Sequence, residues 1–465
     1  MDGGRLLATE KAILDDKIKR GEQLETDVKQ FEPTPHENRV PEDQIGRYRA
    51  LDRRICVTAE MWIIKQFVGK GQEPPSLLEA GPRKYLHFDP KEVTIGIVTP
   101  GGIAPGLNTV IHSIVNMHYK IYGMRNKAYG FLGGFEGIAE KRRFNGDLDP
   151  DVTIEWIHKG GTLLGAGREE QKISDMVTNL EDLGVDILYV IGGDGSLTAG
   201  YHLAQEIEKR SKKIAVAGIP KTMDNDVLWV WHSFGFDTAV EEATRLVNAL
   251  HDEAKSTRKV CLLPLFGRDA DFVAAHAALA SGQVDVVLVP EVPFKIDRVL
   301  DHVKKVVAKN SYALVVVAEG ACPQGYTEES VKEEIRKQGL DPNDRTNPKV
   351  WDMLQAWKIH LLRSKFEECF KNFMKGKHRV FVNEPRYLIR AIPANSVDQI
   401  YCRRLADMAV HNALAGFTGF MISQWLTEYV LVPLKLVAGG HKKIPPAGIF
   451  WKTVISSTGQ PSFDC

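Results

Sequence analysis

No charge sign dominates this chain of 465 residues, in which 60 Lys and Arg stand against 60 Asp and Glu. A nucleic-acid surface built on phosphate neutralisation is therefore not expected, and the lack of any long Lys/Arg run excludes a polybasic membrane anchor. No apolar run reaches the roughly 18 residues that a spanning helix needs. The opening MDGGRLLATEKAILDDKIKRGEQ is too charged for a secretory signal and too acidic for a typical transit peptide. Six cysteines show no CxxC spacing, which reads as reduced thiols in the cytoplasm. Internal repeats, low-complexity tracts and the GxxxxGK(S/T) phosphate loop are also missing. These exclusions leave a soluble intracellular globular protein, an enzyme by size, with one large or two medium domains.

The chain changes character near residue 94. Residues 5–31 read as one amphipathic helix ended by Pro33 and Pro35, and a second apolar-periodic stretch lies around Met61–Phe67. Residues 1–93 are expected to form an N-terminal arm on the body or on another subunit, with a partly disordered 1–45 as the alternative. From residue 94 the pattern is parallel α/β: TIGIVT (94–99), DILYVI (186–191), KIAVAGI (213–219), VDVVLV (284–289) and YALVVVA (312–318). Runs so uniformly apolar predict strands buried on both faces, and ligands of such sheets gather at the strands' carboxyl ends.

The residues at those ends suggest phosphoryl transfer. After the first run comes Thr99-Pro100-Gly101-Gly102-Ile103-Ala104-Pro105-Gly106, a loop open to close approach and leading to a helix near Asn108, though by itself equally a tight turn. Gly160–Arg168 places a cation at the tip of a second Gly-rich loop, either a phosphate clamp or a solvated surface Arg. Gly192-Gly193-Asp194-Gly195-Ser196 sets a carboxylate among glycines, suited to Mg²⁺ or to an Asx turn, with Ser196 as the expected N-cap. Pro220-Lys221-Thr222-Met223-Asp224-Asn225-Asp226 adds two carboxylates, a Lys and a Thr after the next strand.

Together with SFGFDTAVEEA (233–243), FGRDADF (266–272), VPEVPF (289–294), AEG (318–320), YLIR (387–390) and SSTGQPSF (456–463), these motifs resemble the 6-phosphofructokinase family. The closing motif and AGPRKYLHF (80–88) are similar to the plant-type and trypanosomatid ATP-dependent subgroup. The resemblance implies that Asp224 is the general base, with Asp226 aiding metal or water, Asp194 associated with Mg²⁺, Thr222 near the transferred group and Arg168 countering its charge; Lys221, by its residue type, would add a phosphate-binding cation. Gly102, Gly193, Gly195 and Ser196, with Arg168, match nucleotide-contacting positions. Pyrophosphate users commonly carry Asp where this chain has Gly195. Lys221 occupies a position that is commonly Gly in bacterial ATP users and Lys in pyrophosphate users; the mixed pair implies ATP.

For the acceptor, Phe266, Gly267, Arg268, Glu319, Tyr387 and Arg390 match sugar-phosphate positions, shared with Thr222 and Asp224. The pattern departs at Phe266 (usually Met), at Asp271 (usually Gly), at Pro264 (usually Lys in the subgroup) and at Phe381, where a basic residue from a neighbouring subunit is expected. Asp271 reads as a carboxylate added near an anionic substrate, and Arg379 or Lys377 as substitutes for the basic residue after a shift.

The implied fold is α/β, with two doubly wound Rossmann-like domains, the active site in their cleft and an N-terminal arm. Residues 94–235 with 391–465 would bind nucleotide, and 236–390 the sugar phosphate, with 321–376 as surface helices. The implied activity is ATP-dependent phosphorylation of fructose 6-phosphate in a cytoplasmic homo-oligomer, dimer or tetramer. The alternatives are a kinase of the same fold with another sugar phosphate or a nucleoside as acceptor, pyrophosphate as donor, and a non-catalytic regulatory paralogue.

Overall fold

The structure is a computed structural model that describes residues 8–464 apart from 21, 33–35, 268–269, 345–346, 356 and 374–379; at 8, 348, 351, 352, 355, 372, 386 and 387 it describes the backbone alone. Along the chain run strands β1 (Arg54–Cys56), β2 (Ser76–Glu79), β3 (Ile95–Val98), β4 (Ala128–Gly130), β5 (Ile187–Gly192) and β6 (Ala215–Pro220). Next come β7 (Val260–Leu265), β8 (Val286–Leu288), β9 (Ala313–Ala318) and β10 (Val380–Val382), then β11 (Phe420–Trp425) and β12 (Glu428–Pro433). All five apolar runs noted in the sequence carry a strand, and each is buried along its length.

The chain forms two compact units. The first comprises residues up to Thr238 with Arg390–Lys442, and the second Ala239–Ile389 with Lys443–Cys465. In the first, eight strands lie in the order β1-β2-β12-β11-β6-β5-β3-β4. The β11-β6-β5-β3-β4 portion is parallel, whereas β1, β2, β12 and β11 pair antiparallel, so the sheet is mixed rather than wholly parallel. Its two faces bury separate cores, one around Val110, Ile114 and Leu405, the other around Leu197, Leu203 and Leu434. In the second unit β8-β9-β7-β10 form an all-parallel sheet.

The N-terminal expectations change. The first helix ends at Arg20, not near residue 31, and Lys29–Gln30 pairs as a short strand with Phe417–Thr418. Of the two places expected for the arm, residues 8–93 take the body: Leu14 and Ile63 are fully buried in the core of the first unit, and β1 and β2 extend its sheet. The tail also divides differently from the sequence reading. Helix Ile449–Thr458 belongs to the second unit, where Phe450 stacks on His276 at 4.4 Å. The 321–376 stretch does form helices, Glu328–Lys337, Pro348–Gln355 and Trp357–Phe373, but the last buries Ile359, Leu362, Phe366 and Phe370 in the core over the second sheet. Among the described residues no helix is long and apolar enough to cross a membrane.

Candidate functional site

Parallel pairing of β3, β5 and β6 puts the loops after them side by side. The first loop turns through Gly106, whose φ of +100° favours glycine and where a β-carbon would sit 2.6 Å from Cys402 Sγ. Helix Leu107–Asn116 starts there. The second loop is stitched to it: Gly101 N donates to Gly167 O at 2.7 Å and Thr99 Oγ1 to Gly165 O at 2.8 Å. These bonds bring the tip, Arg168, to Gly102; a β-carbon there would lie 3.0 Å from Arg168 Nη2 and 4.0 Å from Arg390 Nη1. Arg390, expected at the acceptor, thus stands with Arg168 beside Gly102.

Helix Asp194–Lys209 is capped three residues earlier than expected, with Gly193 as N-cap and Ser196 inside the first turn. Its opening N–H groups, together with the partial positive charge of a helix amino end, favour an anion. Beyond its own helix turn, no atom of the described residues lies within 4 Å of a β-carbon built on Gly195, so the space before this turn is open.

The third loop is the most heavily bonded. Lys221 is buried and its Nζ donates to Gly102 O, linking the first and third loops. Burial, then Arg168, lower its ammonium pKa to about 8, while Asp224, Asp226 and Asp194 pull it back up. Thr222 Oγ1 donates to Asp226 Oδ1 at 2.9 Å and accepts from Asp224 N at 3.1 Å. Asn225 takes a left-handed φ of +53°, a conformation Asn tolerates, and its Oδ1 accepts from Ser233 N at 3.0 Å and Lys442 Nζ at 2.9 Å. Burial first, then the Asp194 carboxylate, raise the Asp226 pKa.

Sequence reasoning missed His441 and Lys442. Only the preceding Gly439-Gly440 marks them in the chain. His441 forms an antiparallel bridge with Val227, and Lys442 N donates to Asp226 O at 2.7 Å. The wholly buried Lys442 Nζ also donates to Val230 O at 2.7 Å, and burial lowers its pKa to about 8. The N-terminal helix adds Thr9 Oγ1, donating to His441 O at 3.0 Å. Donor atoms of Asp194, Asp226 and His441 consequently lie within 4.8 Å of one another. His441 Nδ1, 3.6 Å from Asp194 Oδ2 and 3.8 Å from Asp226 Oδ2, is shielded from solvent with no hydrogen-bond partner among the described residues.

In the second unit, Phe266 and Glu319 line one cavity with Pro264, Leu265, Ile359, Pro385 and Ile389. Gly267 has φ +138°, and a β-carbon there would meet Asp271 Cγ at 2.4 Å. Asp271 departs from its expected role: it is fully buried as the N-cap of helix Phe272–Ser281, accepting from Ala274 N at 2.7 Å, so its carboxylate is used inside the fold. Phe381 lies on β10 with Lys259 Nζ 5.9 Å from its ring centroid. Arg268, Lys377 and Arg379 and the Tyr387 side chain lie outside the described residues.

Comparison with known proteins agrees with this arrangement. Residues 94–413 match the family model described as Phosphofructokinase. An ATP-dependent 6-phosphofructokinase of Borreliella burgdorferi is 39% identical over 407 residues, covering 84% of this chain and 87% of that protein. ATP-dependent 6-phosphofructokinase 1 of Arabidopsis thaliana is 37% identical over 389 residues, 83% of this chain and 79% of its own. At the level of fold, a pyrophosphate-dependent phosphofructokinase structure from Marinobacter aquaeolei superposes with a TM-score of 0.63 at 20% identity, covering 80% of this chain and 92% of that one. With the loops after β3, β5 and β6 assembled as above and the match running through all of them, the chain belongs to the phosphofructokinase family.

Proposed function

We propose that the protein transfers the γ-phosphoryl group of ATP to the 1-hydroxyl of fructose 6-phosphate, giving fructose 1,6-bisphosphate and ADP in glycolysis. The observation that carries the reading is the convergence of Asp194, Lys221, Thr222, Asp224 and Asp226 at the ends of β5 and β6 in a chain this similar to ATP-dependent relatives. Asp224 takes the proton from the attacking hydroxyl. Its neighbour Asp226 is tied to Thr222 and faces Asp194, which suits it to hold a cation rather than a proton. Lys221, with a pKa of about 8, stays mostly cationic at neutral pH and balances phosphate charge, as does Arg168. Phosphoryl transfer is chiefly positioning and charge neutralisation, so these groups carry most of the barrier reduction.

Mg²⁺ fits the oxygen donors: the carboxylates of Asp194 and Asp226 converge, with donor atoms within 4.8 Å of each other. Asp194 and Asp226 would hold the ion, which supplies charge neutralisation to the donor phosphates. Gly102, Gly193, Gly195, Ser196 and Arg168 are read as the nucleotide side. Phe266, Gly267, Arg268, Glu319, Tyr387 and Arg390 are read as the acceptor side, to which Asp271, capping its helix, adds no free charge. We further read the protein as a homo-oligomer and as cytoplasmic, the compartment being in keeping with five described cysteines that form no disulfide.

A panel assay tests the reading. Purified protein is given Mg²⁺ with ATP or pyrophosphate against fructose 6-phosphate, other sugar phosphates and nucleosides. ATP with fructose 6-phosphate should give the highest kcat/KM. Turnover confined to another acceptor or to pyrophosphate, or no turnover at all, would overturn it. Mass measurement at micromolar concentration checks the assembly, which a fully active monomer would contradict.

A further inference from the structure

The reading above gives Asp194 and Asp226 a task and leaves His441 without one. Its Nδ1 stands 3.6 and 3.8 Å from the nearest oxygens of the two carboxylates and hydrogen-bonds to neither, although it is shielded from water. A histidine kept for structural reasons would close to about 2.9 Å on one of them, because a buried nitrogen without a partner is costly. Nor is the ring left there by a loose loop. The bridge to Val227, the Lys442 N bond to Asp226 O, the Thr9 bond to His441 O and the buried Lys442 Nζ fasten the segment from four directions.

We propose that His441 Nδ1 is a third protein donor to the divalent cation held by Asp194 and Asp226, and that it biases the site toward manganese or cobalt over magnesium. The inference rests on the carboxylate reading above and deepens it. Neighbouring ligands on a cation with bonds of about 2.1 Å lie about 3 Å apart, so small side-chain rotations bring this trio into range. Magnesium prefers oxygen donors and keeps its waters, whereas imidazole nitrogen favours the borderline first-row ions. A nitrogen fixed between two carboxylates therefore adds more affinity for manganese or cobalt than for magnesium.

The test follows the bound ion rather than turnover. Mn²⁺ with inorganic triphosphate, which carries no nitrogen, is titrated into wild type, His441→Ala, His441→Gln and Asp194→Asn and followed by electron paramagnetic resonance. Spin-echo modulation from directly bonded nitrogen reports the imidazole. Wild type should show that modulation and both His441 variants should lose it. Mn²⁺ affinity should fall at least about tenfold in them, no less than loss of a merely supporting partner costs, while Mg²⁺ affinity from competition falls by less than about threefold. Asp194→Asn should weaken both ions. Bound Mn²⁺ without nitrogen modulation in wild type, or the same Mn²⁺ to Mg²⁺ ratio in wild type and both His441 variants, overturns the role of His441 and leaves the carboxylates standing. Undiminished binding of both ions in Asp194→Asn overturns the carboxylate reading and the inference with it. Should His441→Ala fail to fold, His441→Gln, which keeps the bulk and lacks the imidazole, decides the outcome alone.

Discussion

Two carboxylates two residues apart differ in what surrounds them. Asp226 is 9% exposed, bonded to Thr222, and beside Asp194 and His441. Asp224 is less buried, and Thr222 reaches its backbone N–H rather than its carboxylate. Asp224→Ser should accordingly lower kcat by about 10²–10⁴, the usual worth of a positioned base, with nucleotide affinity nearly unchanged. Steady-state kinetics beside a nucleotide titration checks this, and wild-type turnover in the variant would remove Asp224 from the role. Gly195 makes the complementary case. Because no described residue outside its own turn lies within 4 Å of a β-carbon there, Gly195→Asp should fold with an unchanged Tm. The new carboxylate would meet the α-phosphate of ATP, so kcat/KM for ATP should fall at least about 10²-fold, while pyrophosphate use stays flat or rises. A variant that uses ATP as well as wild type would show that this open space does not admit the nucleotide.

Among the elements, the start of helix Phe236–Thr257 shows why one sequence motif need not carry chemistry. SFGFDTAVEEA resembles a family signature, yet its opening is shaped by Asp398 from helix Ser396–Leu414. That carboxylate, fully buried, accepts from Gly235 N at 2.9 Å, Thr238 N at 2.7 Å and Thr238 Oγ1 at 2.5 Å. Burial raises its pKa and these bonds draw it back down. Asp398→Ala would leave two buried N–H groups unsatisfied, and about 3 kcal/mol of stability should be lost. Urea unfolding measures it, and a change under about 0.5 kcal/mol, the scale of an ordinary surface substitution, would mean that water or a shifted helix start replaces the carboxylate.

For the molecule as a whole, two buried histidine–tyrosine pairs weaken the fold in acid. His118 Nε2 meets Tyr189 Oη at 2.9 Å and His411 Nδ1 meets Tyr122 Oη at 2.7 Å. Burial depresses both imidazoles from an ordinary 6.5 to about 3, with His411 adding to the effect on His118 and Arg404 to that on His411. Between those values the unfolded chain takes up protons that the folded one refuses, so their stabilisation is complete above about pH 6.5 and is lost as pH falls. The loss is at most about 1.4 kcal/mol per pH unit for each histidine, and carboxyls raised by burial work against it: Asp407, to about 6, and Glu10, Asp226, Glu291 and Asp398. Between pH 7 and 5 the wild type should lose more stability, or gain less, than His118→Gln/His411→Gln; parallel pH profiles would take the histidines out of the acid response. The same distinction between near and far along the chain separates what could be read from the sequence. Strands β3, β5, β6, β8 and β9 and the loops carrying Gly102, Arg168, Asp194 and Asp224 are local patterns of burial and turn chemistry, and the chain shows them directly. Other features rest on contacts between distant segments: the antiparallel β1, β2 and β12 that complete the sheet, the N-terminal helix against His441, and Lys442 bonded to Asn225 217 residues away. A side chain's neighbours along the chain set its periodicity and its turn, and those the sequence determined. Which carboxylates share a cation with His441, and whether Asp271 faces a ligand or caps a helix, depends on packing between segments, and only the tertiary structure decided it.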